Sequence, residues 1–203
     1  MLIGVLALQG DFQEHANVLL RLGAEVREVR KAADLEGLAG LIIPGGESTT
    51  ITRLLARYGL LDPLRTSIDG GLAVMGTCAG AIVLAEQATG LDRPGIERMA
   101  IRVRRNAFGR QRDSFETDID VTGIAGGRVH AVFIRAPIID QVDPPAEAIA
   151  TLPDGSVVAA RQGKLIALAF HPELTPDTRV HAYFLEMAAA ASGVPHALAA
   201  RNV

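Results

Sequence analysis

Apolar residues along this chain gather into short unbroken runs: 3–8 (IGVLAL), 41–44 (LIIP), 72–75 (LAVM), 132–134 (VFI), 157–160 (VVAA) and 165–170 (LIALAF). Continuous rather than alternating runs predict strands buried on both faces, as in a parallel sheet covered by helices. Several of the intervening segments have helical spacing instead. After Asp11, the residues Phe12, Ala16, Leu19, Leu20 and Gly23 fall on one helical face, and Glu14 three residues beyond Asp11 has the spacing of a capping box. A second helix is expected from Ser48, carrying Ile51, Leu54 and Leu55 and ending near Tyr58-Gly59. A third is expected from Cys78 and a last from about Pro176 to Ala191. Strands alternating with helices predict an α/β fold, a three-layer doubly wound and mostly parallel sheet with sites at the carboxyl ends of its strands. Region 100–135 breaks the rhythm. Its three strand-like stretches have no long helix between them, which predicts an antiparallel extension. No repeat or linker interrupts the chain and Asp143-Pro144-Pro145 reads as a surface turn, so 1–203 is expected to be a single domain with about 192–203 as a loose tail.

Composition narrows the function classes. The 203 residues carry a net charge of −3, with 49% hydrophobic and 21% charged residues, a globular balance. Aromatics are 4% and Trp is absent. Scarce aromatics and a slightly acidic balance disfavour base-stacking platforms and phosphate-tracking grooves, so no nucleic-acid partner is expected. No apolar stretch approaches the ~18 residues of a spanning helix, and the first run has no preceding basic residue, so no membrane association and a cytoplasmic location are expected. With Cys78 as the single cysteine, no intramolecular disulfide can form.

That cysteine stands in Gly76-Thr77-Cys78-Ala79-Gly80, where an apolar strand runs into a helix. The G-x-C-x-G spacing is that of a nucleophile elbow, in which flanking glycines let a strained turn pack against its neighbours and lift the thiol above the sheet. The alternative is a buried core cysteine. Among five histidines, His171 is best placed as a base, because it follows a buried strand and opens His171-Pro172-Glu173. In an extended segment Glu173 projects to the same side as His171 and can orient it toward Cys78. Pro44-Gly45-Gly46-Glu47-Ser48-Thr49-Thr50 closes another buried strand. Its glycines allow close approach to a ligand and Ser48 or Thr49 can cap the next helix, although alone it is as easily a tight turn.

The elbow together with His171-Pro172-Glu173 resembles the class I, triad-type glutamine amidotransferases. Five further blocks are similar to the family of glutaminase subunits of pyridoxal 5'-phosphate synthases: residues 3–10 with Glu14-His15, residues 44–50, the segment from Arg105 through Ala107 to Gln111, Phe133-Ile134-Arg135-Ala136-Pro137, and residues 170–175. They spread over nearly the whole chain and are far more specific together than G-x-C-x-G alone. Ala107 departs from the pattern, where serine is the more frequent residue. The resemblance implies a class I glutamine amidotransferase-like, flavodoxin-like fold and hydrolysis of L-glutamine to L-glutamate and ammonia. Cys78 would attack the side-chain amide, the backbone amides of Gly46 and Ala79 would bind the oxyanion, and His171, held by Glu173, would move the proton. It also implies L-glutamine binding by Gly46, Glu47, Ser48, Arg105, Ile134 and Arg135.

The implied partner is a (β/α)8-barrel synthase subunit that joins the ammonia to a pentose phosphate and a triose phosphate to make pyridoxal 5'-phosphate. Gln9, Gly10, Glu14 and His15 would meet that partner, an exposed helix face being the alternative for Glu14 and His15. No cofactor and no metal are expected on this chain. Two other readings stand beside this one: a glutaminase subunit of another ammonia-channelling synthase, such as imidazole-glycerol phosphate synthase, and a non-catalytic thiol sensor or regulatory module. A sensor does not need an orienting carboxylate, so His171-Pro172-Glu173 disfavours it. A cysteine peptidase would use the same groups on a peptide.

Overall fold

A computed structural model describes residues 1–105 and 114–192. The chain opens with β1 (Leu2–Leu6), α1 (Phe12–Arg21) and β2 (Glu25–Val29), and β3 (Gly40–Ile43) is followed by α2 (Ser48–Arg57) and α3 (Leu61–Asp69). β4 (Ala73–Thr77) runs into α4 (Ala79–Leu84). Eight strands follow: β5 (Ala85–Ala88), β6 (Met99–Arg104), β7 (Ser114–Ile119), β8 (Val129–Ile134), β9 (Ile138–Val142), β10 (Glu147–Thr151), β11 (Val157–Gln162) and β12 (Leu165–Leu168). Helix α5 (Arg179–Ser192) ends the described chain.

Among the described residues, ten strands form one sheet in the order β2-β1-β3-β4-β12-β11-β9-β6-β5, with β10 paired to β11. From β2 to β12 every neighbour is parallel. Beyond β12, strands β11, β9 and β6 alternate antiparallel, and β5 returns parallel to β6. Strands β7 and β8 form a separate antiparallel ribbon.

The period-2 geometry of a strand divides the apolar runs between two cores. Ile42, Ala73, Met75 and Leu168 face one layer with Ala16 and Leu19 of α1 and Phe184, Leu185 and Ala188 of α5. Leu41, Ile43, Val74 and Leu165 face the other with Ile51, Leu55, Leu64 and Leu84. Both faces are thus covered, and burying each of the Val, Leu, Ile, Met and Phe side chains among them stabilises by about 1.5–3 kcal/mol, as an upper bound. The result is a three-layer α/β fold in which the parallel strands point their carboxyl ends to one edge.

Several expectations need correction. The VVAA run lies in an antiparallel strand, joined to β12 by the two-residue turn Gly163-Lys164; central antiparallel strands covered on both faces read like parallel ones. The VFI run belongs to the ribbon, where buried and exposed positions alternate. In α1, Leu20 is 57% exposed and the helix stops at Arg21, so neither Leu20 nor Gly23 shares its buried face. No capping box forms, because the Asp11 side chain makes no cap hydrogen bond. Helix α5 starts at Arg179, three residues later than expected, after an Asp177 turn that holds the Arg179 amide at 3.0 Å. Helix α3 is not among the expected elements although Leu60, Leu64 and Ile68 have the right spacing, since Pro63 interrupts the pattern; proline is tolerated in a first turn. The anticipated tail from 193 onward and Ala107 lie outside the described residues.

Candidate active site

The turn from β4 into α4 carries Cys78 at φ +49°, ψ −102°, a backbone region that costs a non-glycine residue about 1–3 kcal/mol. Neighbouring backbone holds it there. The Cys78 amide donates to the Leu168 carbonyl of β12 at 2.7 Å. A Cβ on Gly80 would overlap the carbonyl oxygen of Ile43 at the end of β3, and one on Gly76 would lie 2.6 Å from the Gly80 carbonyl. Only glycines let the elbow seat this tightly between β3 and β12. The thiol lies 4.0 Å from the Ile134 carbonyl at the end of β8 and is 8% exposed, enough for a small ligand to reach it.

His171 follows β12, its amide fixed by the Val132 carbonyl at 2.9 Å. Its Nδ1 is 2.7 Å from Glu173 Oε1. The expected pairing of His171 with Glu173 forms, but not through an extended segment: Pro172–Leu174 is a single 3-10 turn, favoured by proline at its start, and it folds Glu173 back beneath the ring. With Nδ1 committed to Glu173, Nε2 is the nitrogen left for Cys78. Burial opposes a proton on His171, but hydrogen bonds to Cys78 and Glu173, and the charges of both, outweigh it and raise its pKa to about 10. Burial also pushes Glu173 up, partly offset by its hydrogen bond with His171. A protonated His171 is the counter-charge that a Cys78 thiolate requires. Asp11 Oδ2 stands 3.8 Å from the same Nδ1. Asp11, His171 and Glu173 bring ligand atoms within 4.8 Å of one another, a spacing open to a cation, yet the ring nitrogen concerned is already bonded to Glu173.

These groups open onto a cavity of about 420 Å³ lined by Gln9, Asp11, Gly46, Glu47, Ser48, Cys78, Ala79, Ile82, Arg105, Ile134, Arg135 and His171. Every residue expected to touch glutamine is on this wall. Their roles divide differently, however. Glu47, not Ser48, caps α2, accepting from the Thr49 amide at 3.4 Å and its hydroxyl at 3.0 Å. Ser48 Oγ is buried in the cavity wall without a partner among the described residues. Arg105 spends one nitrogen on Glu47 at 2.6 Å and another on the Gly90 carbonyl at 2.9 Å. Although burial works the other way, Thr49 and Arg105 draw the Glu47 pKa below its ordinary value. Of the two arginines expected to bind glutamine, Arg105 is paired with Glu47, while Arg135, exposed at φ +43°, has no acidic partner among the described residues.

The segment expected to meet a partner also turns inward. Gln9 Oε1 accepts from the Glu47 amide at 2.7 Å, and the Asp11 amide donates to the Gly45 carbonyl at 3.1 Å. Gly10, at φ +102°, sits so close to Gly45 that a Cβ would collide with its carbonyl oxygen. Glu14 is exposed, as a docking residue must be. His15 is wholly buried and cannot present a surface. Its Nδ1 lies 2.9 Å from His181 Nε2 and its Nε2 3.1 Å from Thr77 Oγ1. Asp11, Thr77, Ile82 and His181 are not among the residues expected at the site. Position relative to a strand end is a signal for Asp11 and Thr77; nothing in local spacing points to His181, which arrives from α5.

Residues 5–190 match the SNO glutamine amidotransferase family. The "Pyridoxal 5'-phosphate synthase subunit PdxT" of Moorella thermoacetica is 56% identical over 187 residues, covering 92% of this chain and 99% of that one. The subunit of the same name from Clavibacter sepedonicus is 53% identical over 188 residues, 92% of this chain and 90% of its own. A solved structure described as a glutamine amidotransferase superposes with a TM-score of 0.87 at 52% identity, covering 92% of this chain and 98% of that one.

Proposed function

Because the chain belongs to the SNO glutamine amidotransferase family, we propose that Cys78, His171 and Glu173 hydrolyse L-glutamine to L-glutamate and ammonia as the glutaminase centre of a pyridoxal 5'-phosphate synthase. Cys78 attacks the side-chain amide carbon, and the Gly46 and Ala79 amides stabilise the oxyanion. His171 protonates the departing ammonia, then takes a proton from the water that cleaves the thioester, while Glu173 holds the ring. Glutamine lies along Gly46, Glu47, Ser48, Arg105 and Ile134, with its carboxylate directed to Arg135, which has no acidic partner among the described residues. The observation that carries this reading is the convergence of the strained Cys78 turn and the His171–Glu173 pair, from hydrogen-bonded neighbouring strands, on one small polar cavity.

The partner is the synthase subunit that consumes the ammonia. We assign it a (β/α)8-barrel form, joining ammonia to a pentose phosphate and a triose phosphate, and place its docking face over Gln9, Gly10 and Glu14. No described helix is long and apolar enough to cross a membrane; the reaction is assigned to the cytoplasm and to one domain spanning 1–203. Glutamate release measured with and without the synthase subunit tests the assignment. The complex should turn over glutamine, the Cys78→Ala complex should not, and turnover by Cys78→Ala would remove the nucleophile from the scheme. A pull-down in which a different synthase is captured would redirect the ammonia.

A further inference from the structure

We propose that His15 is a positioning residue for this reaction, holding the second carboxylate oxygen of Glu173 and through it the orientation of His171. The inference rests on the glutaminase reading above and deepens it. Glu173 is buried, and its two oxygens are treated unequally: Oε1 bonds His171 Nδ1 at 2.7 Å, whereas Oε2 has no hydrogen-bond partner among the described residues. A buried acceptor left bare costs about 1–3 kcal/mol, and more for a charged one. The His15 ring stands beside it, with Nε2 3.4 Å from Oε2 and 3.1 Å from Thr77 Oγ1.

The protons of this cluster can be assigned by elimination. If His15 carried its proton on Nδ1 and gave it to His181, the Nε2 lone pair would face the carboxylate. His181 would then hold a buried N–H on Nδ1 with no acceptor. Bare donors are rarer than bare acceptors in folded proteins. In the other arrangement His181 Nε2–H donates to His15 Nδ1, and His15 Nε2–H donates to Thr77 Oγ1 while standing 3.4 Å from Glu173 Oε2, an electrostatic contact rather than a second hydrogen bond. Of the ring nitrogens of this pair, only His181 Nδ1 is then left without a partner among the described residues, and as a lone pair. Burial, followed by the charges of His181 and His171, holds the His15 pKa well below its ordinary value, so the ring supplies an N–H without a second positive charge. His181 is kept neutral by its own burial and by Arg21.

The arrangement has a mechanical meaning. The terminal torsion of glutamate is soft, so a carboxylate held at one oxygen can turn as the proton on His171 comes and goes. A contact at the second oxygen restrains that turn. His15 also reaches Thr77, the residue before the nucleophile, so one ring on α1 ties the end of β4 to the turn after β12.

The test uses the complex with the synthase subunit and two variants. His15→Leu removes the N–H; His15→Gln retains one that can be directed at the same oxygen. Expected for His15→Leu is a fall in kcat of ~10-fold or more, the size typical of losing an outer partner of a functional histidine, with KM little changed. His15→Gln should recover most of that loss. A second readout needs neither glutamine nor partner: Cys78 is the single thiol, so its rate of alkylation by iodoacetamide against pH reports on the Cys78–His171 pair, and His15→Leu should move that profile. Native kcat in His15→Leu would overturn the proposal, and so would equal losses in both variants with an unmoved alkylation profile. If the wild-type complex released no glutamate, the glutaminase reading would fail, and the alkylation profile would still decide whether His15 acts on the pair.

Discussion

The parallel strands β2, β1, β3, β4 and β12 and the mostly antiparallel strands β11, β10, β9, β6 and β5 share one sheet but treat polar groups in opposite ways. Among the described residues, the buried polar side chains are His15, Ser48, Thr52, Thr77, His171, Glu173, Thr175 and His181. All lie at the end of a parallel strand or in segments that leave or cover the parallel half. The antiparallel half keeps its charges on the surface, as in the Arg104–Asp140 pair between β6 and β9. The cause is connectivity. Parallel strands need crossovers, so the chain leaves β1, β3, β4 and β12 at the same edge and polar loops converge under each other's cover. Hairpins disperse their turns to both ends. Chemistry concentrates where loops converge, and the other half supplies wall residues such as Arg105.

Four experiments set this contrast at risk. The largest effect should be on turnover: Cys78→Ala in the complex should reduce glutamate release to background, whereas Arg104→Ala should leave it at the wild-type rate. Next is Gly80→Ala, whose methyl would strike the Ile43 carbonyl; urea unfolding should show a loss of about 2–4 kcal/mol, and a loss below about 0.5 kcal/mol would mean the elbow is looser than described. Third is acid. Burial, then Arg21, lowers the His181 pKa from 6.5 to about 4, so the unfolded chain binds a proton there that the folded chain refuses. This share of stability is complete above pH 6.5 and is lost as pH falls toward 4, by up to ~3 kcal/mol. A His181→Leu variant should show a shallower pH dependence over that window.

The smallest effect is on the ribbon. His130 is exposed, and hydrogen bonds to Asp118 and then Glu116 raise its pKa, so its contribution has the reverse sign, present below pH 6.5 and lost as pH rises through the raised pKa. Solvent screens it. His130→Ala should leave the thermal midpoint nearly unchanged at pH 7, and a large drop would show that surface charge on the ribbon matters more than solvent screening allows.

What can be read from sequence follows the same division. The strand ends at Pro44 and Thr77 and the elbow at Cys78 are legible because local chemistry dictates them: apolar runs stop, and glycines stand where side chains cannot fit. The pairing of His171 with Glu173 is legible from its spacing, though a 3-10 turn rather than an extended strand produces it. Strand direction is not legible for Val157–Gln162, since burial on both faces erases the period-2 signature. Edge strand β2, with Glu25, Arg27 and Glu28, has the composition of a loop because edges carry charge to resist pairing with other chains. The His15–His181 contact spans 166 residues, and no local pattern encodes such a meeting.

The nucleophile and its base leave adjacent strands that are hydrogen-bonded to each other, with Thr77 in register with Leu168. Their separation is therefore ruled by the spacing of a β-ladder, about 4.8 Å between chains, and not by the length or composition of any loop. Seen as wiring, the chain that runs from Cys78 to His171 sets the order in which the two are made but not the final gap between thiol and imidazole, which two pieces of chain could hold as well as one.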